Sequence, residues 1–177
     1  MILSEQIVYT DTYIGTADII TGIDKINIGD VDFDRSTHTY KVNGMELPSV
    51  TTLLDDGGYN NINEKILNYA KTKGSIVHEE IENYLKHNLE GFTKEFDDFK
   101  DIYIQNIEKF KNKAVFDIKT YSSNSPDKRK KCFIQTLMYA KGIEYLTGIN
   151  ADEFNLYEIW LPHKGKAKLI DLRKEFG

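Results

Sequence analysis

Cysteine occurs once in these 177 residues, at Cys132, which excludes an internal disulfide and any thiolate metal cluster and suits a reducing, intracellular setting. No apolar stretch approaches the roughly 20 residues that span a bilayer. The opening residues Met1-Ile2-Leu3-Ser4-Glu5 lack a basic region followed by a long apolar run, so no secretory signal is expected. Repeats and low-complexity tracts are also missing. Positive charge is in short supply: 23 Lys and Arg face 28 Asp and Glu, a net charge of −5. That balance counts against indiscriminate attraction to nucleic acid. It does not exclude phosphate chemistry, because carboxylates that hold a divalent metal make the bare chain look more acidic than the working complex.

What is present suits one compact domain, 40% hydrophobic and 29% charged, with enough chain to bury a core. Residues 2–9 and 16–23 read as two strands around a turn at Asp11-Thr12-Tyr13, with Glu5 on the first arm and Asp18 on the second. The polar segment from Lys25 to Arg35 reads as a connection. Residues 39–47 alternate about Asn43-Gly44, a strong hairpin signal, and Ser49 then caps a short helix through Leu54. Apolar residues at helical spacing predict a helix from Asn63 to His87, in which Gly74 marks a break or a close contact. A second helix is expected from Thr93 to Lys111, its buried stripe formed by Phe96, Phe99, Ile102, Tyr103, Ile107 and Phe110. A strand around Asp117 follows, then a helix from the basic run to about Leu146, stopped by Gly148. Residues 154–161 predict a strand and residues 168–172 another. The fold class is therefore α/β (α+β), a mixed central sheet flanked by helices.

Val115-Phe116-Asp117-Ile118-Lys119-Thr120 is the stretch around which the chemistry is best arranged. On a strand, Asp117 and Lys119 share one face while Phe116 and Ile118 point to the other. The pair reads either as a plain surface ion pair or as a metal ligand beside the cation that serves a water nucleophile. Asp18 is a second acid on a strand, and magnesium favours one or two carboxylates with positions left for water and phosphate. His78 and Glu82 share a helical face; His78 becomes a ligand only where its helix packs over the mouth of the sheet. Gln135 and Tyr139, four apart on a helix, can both hydrogen-bond phosphate or base edges. Lys128, Arg129, Lys130 and Lys131 at that helix's N-terminus read either as a solvated loop or as a phosphate-binding cluster.

Gly15-Thr16-Ala17-Asp18, Gly74-Ser75-Ile76-Val77-His78, Asp117-Ile118-Lys119-Thr120 and Gln135-Thr136-Leu137-Met138-Tyr139 together resemble the PD-(D/E)XK nuclease superfamily, and within it the RecB-like, phage-type exonuclease branch. Leu47-Pro48-Ser49-Val50-Thr51-Thr52-Leu53-Leu54 is similar to the opening of phage-type members. The resemblance implies a restriction-endonuclease-like sheet and a Mg2+- or Mn2+-dependent deoxyribonuclease of a phage or mobile element, acting in recombination or repair in the cytoplasm of a bacterial or phage-infected cell. It implies metal ligation by Asp18, Asp117, His78 and the Ile118 carbonyl. Lys119 would assist the attacking water, Glu5 would accompany the GxxD acid, and Gln135, Tyr139 and the basic run would contact DNA.

In that family the Glu and GxxD strands follow the Gly-x-x-x-His helix, whereas here they precede it. The chain divides accordingly into a transposed hairpin (1–24), a hairpin and helical region (25–113) and a C-terminal part (114–177). A natural or engineered rearrangement, a hairpin exchanged between subunits, or segments joined in another order would each produce this pattern. Strand pairing depends on proximity rather than chain order, so the hairpin is expected beside the Asp117 strand; about ten residues after it can span up to roughly 33–36 Å. Two other functions fit the same residues: a nuclease-shaped module that binds nucleic acid or protein without cutting, and a metal-free scaffold.

Overall fold

The computed structural model describes residues 7–8, 19–21, 31–34, 39–42, 44–54 and 64–177. Its centre is a five-stranded mixed sheet of β1 (Ile7–Val8), β2 (Ile19–Thr21), β6 (Ala114–Lys119), β7 (Asn155–Trp160) and β8 (Lys168–Asp171), in that spatial order. A separate three-stranded antiparallel sheet joins β3 (Val31–Asp34), β4 (Thr39–Val42) and β5 (Met45–Leu47). The helices are α1 (Val50–Leu54), α2 (Glu64–His87), α3 (Lys94–Gln105), α4 (Ile107–Phe110), α5 (Pro126–Thr147) and α6 (Leu172–Phe176). The fold is thus α/β, with a mixed sheet flanked by helices. Among the described residues no helix is long and apolar enough to cross a membrane.

Strand β6 is central. On one side β2 pairs with it antiparallel, Ile19 opposite Phe116 and Thr21 opposite Ala114. On the other side β7 runs parallel to it, with Asp117 opposite Glu158 and Lys119 opposite Trp160. A parallel neighbour requires a long crossover, and α5 supplies it. Ser125 starts that helix by accepting from the Lys128 N–H at 3.4 Å, Pro126 fits its first turn, and Gly148 ends it with φ +75°.

The alternation of β6 divides the core. Ala114, Phe116 and Ile118 join Val77, Ile81, Phe96, Phe99, Tyr103 and Phe110 from α2, α3 and α4. Val115 joins Cys132, Ala140 and Ile143 of α5, with Leu156 and Leu172. Glu80 ties α2 to the start of α3: its carboxylate accepts from the Phe92 N–H at 3.0 Å and from the Thr93 hydroxyl, while Thr93 Oγ1 caps α3 by accepting from Phe96 N at 3.1 Å.

Several elements differ from expectation. Val31–Asp34 is a strand, not a connection: its apolar–acid alternation finds a partner in β4, Val31 opposite Val42. The expected helix over 93–111 breaks at Asn106, whose Nδ2 donates to the Ile102 carbonyl at 2.8 Å and competes with the helical ladder. Gly74 does not break α2. A side chain there would come within 3.1 Å of Thr120 Oγ1, so the glycine lets the helix close on the end of β6. The last strand stops at Asp171, which accepts from Lys174 N at 3.0 Å and starts α6.

Phe110 is 1% exposed and packs against Tyr103, Phe116 and Tyr157. Phe110→Ala is expected to cost about 3–5 kcal/mol, read as a lower denaturation midpoint in urea.

Candidate active site

The C-terminal end of β6 brings Asp117 and Lys119 to the same face, as strand spacing requires. Asp117 is completely buried. Its Oδ2 accepts from Lys119 Nζ at 2.6 Å and lies 3.6 Å from the Cys132 thiol, while Oδ1 has no partner among the described residues. Lys119 Nζ also donates to Gln135 Oε1 at 3.0 Å, and Gln135 Nε2 donates to the Tyr139 hydroxyl at 2.9 Å. Cys132, Gln135 and Tyr139 recur at helical spacing, so one face of α5 lies along this chain of contacts. Gln135 is buried, and Tyr139 is half-buried and packs against the smaller core cluster. Burial, followed by the neighbouring Asp117 charge, pushes the Cys132 thiol far up.

Helix α2 supplies His78 one turn beyond Gly74. Desolvation is the largest influence on its imidazole; Lys119 works in the same direction, Asp117 and Glu82 oppose it, and the pKa falls to about 4. The ring is therefore neutral at physiological pH, the state in which imidazole serves as a ligand. Gly74, one turn earlier, closes on Thr120, so this part of α2 lies at the end of β6 that carries Lys119.

Glu158 went unrecognised in the sequence. It lies opposite Asp117 on β7 and is fully buried; Oε1 accepts from the Tyr121 hydroxyl at 2.7 Å and from Asn124 Nδ2 at 2.6 Å, while Oε2 has no partner among the described residues. Desolvation raises its pKa, and the Asp117 charge adds to the rise. Burial, then Glu158, also pushes the Tyr121 hydroxyl well above the usual range. The one available signal was an acid inside an otherwise apolar strand, Leu156-Tyr157-Glu158-Ile159-Trp160.

The remaining candidates are placed as follows. Glu5 and Asp18 lie outside the described residues. Ile118 directs its side chain into the larger core cluster. In the basic run, Arg129 grips Glu175 through Nε at 2.9 Å and Nη2 at 2.7 Å, and Lys128 donates to the Ser123 carbonyl at 2.9 Å while lying over the Tyr121 ring. Lys130 and Lys131 are exposed.

Among the described residues no group of three or more His, Cys, Asp or Glu side chains is arranged to hold a metal ion. The donor chemistry of Asp117 and His78, two of the three expected ligands that are described, nevertheless fits a divalent cation: Asp117 offers an oxygen without a partner among the described residues, and His78 a neutral ring. The chain matches no family model, no curated protein and no solved structure.

In the unfolded chain His78 protonates near pH 6.5, but in the folded protein only near pH 4. Between these values the unfolded state binds more protons, so stability is lost as pH falls through this window. With chelator present, the His78 ring signal in a proton NMR titration is expected to move with a midpoint near 4. A midpoint near 6.5 would place the ring in solvent.

Proposed function

We propose that the chain is a metal-dependent nuclease that hydrolyses DNA phosphodiester bonds, of the phage or mobile-element exonuclease kind. The observation that carries this function is the fully buried Oδ1 of Asp117, which has no partner among the described residues and whose other oxygen is ion-paired with Lys119. Leaving such an acceptor unsatisfied costs roughly 1–3 kcal/mol, and a bound cation would offset that cost. The pairing of β2 with β6 adds support. Ile19 stands opposite Phe116, and the acid preceding Ile19 in the chain is Asp18, as the acid following Phe116 is Asp117.

In this proposal Asp117, Asp18, His78 and the Ile118 carbonyl hold Mg2+ or Mn2+. Bound there, the ion supplies positive charge at the phosphate oxygens and acidifies water. Lys119, steadied between Asp117 Oδ2 and Gln135 Oε1, places an ammonium where negative charge grows during displacement. Gln135 and Tyr139 orient that ammonium from α5 and present the tyrosine hydroxyl toward the substrate side. Glu5 completes the acidic set, and Lys130 and Lys131 remain candidates for the DNA backbone.

Linear DNA is expected to be cut with Mg2+ and left intact with chelator. Lys119→Ala should slow cleavage roughly 10²–10³-fold, the usual size of a lost electrostatic donor. Asp117→Asn should abolish it; both variants break the buried ion pair and should melt below the parent protein, yet keep its circular dichroism at low temperature. Salt-sensitive DNA binding that survives Asp18→Ala and Asp117→Asn, without turnover in the parent protein, would leave a binding module instead. Independently of turnover, Mg2+ should raise the melting temperature of the parent protein and leave that of Asp117→Asn unmoved.

A further inference from the structure

The turn between β7 and β8, Pro162-His163-Lys164-Gly165-Lys166-Ala167 and then Lys168, holds three lysines and no acid in a chain of net charge −5. Its place in the fold is fixed from both ends. Trp160 pairs with Lys119, and Leu161 N donates to the Lys119 carbonyl at 2.8 Å, so the turn leaves the sheet where β6 presents its lysine. Three residues on, His163 Nδ1 lies 3.1 Å from the buried Glu95 carboxylate, which also holds Lys73 at 2.7 Å, and His163 meets Lys73 directly. Lys73 precedes Gly74, the residue that lets α2 close on Thr120. The turn, the start of the His78 segment and the end of β6 therefore meet at one rim.

The cations on this turn differ from those the sequence singled out. In the basic run, Arg129 is taken up by Glu175, and Lys128 by Ser123 and Tyr121. Lys164 and Lys166 are exposed and make no ion pair or hydrogen bond among the described residues. Lys168 follows, its ammonium 5.9 Å from the centre of the Trp160 ring. Gly165, at φ +107°, adopts a backbone conformation that favours glycine, so the bend between the two lysines is set by the sequence.

Resting on the nuclease function above, we infer that this turn is the surface that receives the DNA backbone, with Lys164 and Lys166 each neutralising a phosphate and the His163–Glu95–Lys73 network holding the turn at the rim. Contacts of this kind position a strand without reading its bases, and they release counterions.

The test is binding of fluorescein-labelled linear DNA, followed by anisotropy in EDTA from about 50 to about 200 mM salt, where no cleavage intervenes. For Lys164→Ala/Lys166→Ala the plot of log affinity against log salt is expected to be shallower by about 1 per lysine removed, with an unchanged melting temperature. Lys130→Ala/Lys131→Ala should change it less. An unaltered slope in the turn variant, or no salt-dependent DNA binding by the parent protein, overturns the inference. The two proposals fail separately: a parent protein that binds through the turn but never cuts removes the nuclease and keeps the surface. One that cuts, while the turn variant binds as before, does the reverse.

Discussion

The ion pair between Asp117 and Lys119 sets the terms for everything around it. A carboxylate without solvent contact must be compensated on both oxygens, and the ammonium two residues along the strand, with the weak Cys132 donor, reaches only one. Gln135 then becomes necessary, because the lysine brought inward must itself be steadied, and Tyr139 steadies Gln135. One buried charge thus determines which face of α5 packs against the sheet. Glycine at position 74 has a separate cause: a side chain there would come within 3.1 Å of Thr120 Oγ1 as α2 closes on the end of β6.

Glu158 adds a second demand. Two carboxylates opposite each other on neighbouring parallel strands repel, and burial makes ionisation of the second harder still. Tyr121 and Asn124 answer it from the segment between β6 and α5, and that segment is fastened again by Trp160 Nε1, which donates to the Tyr121 carbonyl at 2.8 Å. Arg129 serves the same end, reaching the Asn124 carbonyl at 2.8 Å while it clasps Glu175. Its charge braces this part of the molecule.

Much of this could be read from local patterns, because strand and helix periods are local properties. The spacing of two that joins Asp117 to Lys119, the spacing of four that joins Gln135 to Tyr139, the pairing of β4 with β5 and the Gly148 stop each depend on a few adjacent residues. Glu158, Tyr121 and Asn124 were hidden because their meaning comes from the register of β7 against β6, which neither segment encodes alone. The strand at Val31–Asp34 was hidden for the same reason: its acids read as loop until β4 lies beside it. Asn106 looked like one more helical position, yet its side-chain amide breaks the helix.

The neighbours of β6 are drawn from distant parts of the chain: Ile19–Thr21 near its beginning on one flank, Asn155–Trp160 near its end on the other. Each pairing closes a large loop, and topologies dominated by such loops are slow to form. A nascent chain emerging N-terminus first holds the Asp117 segment long before β7 exists to dock against it. The two buried acids, Asp117 and Glu158, consequently come together only once the later strand has been made.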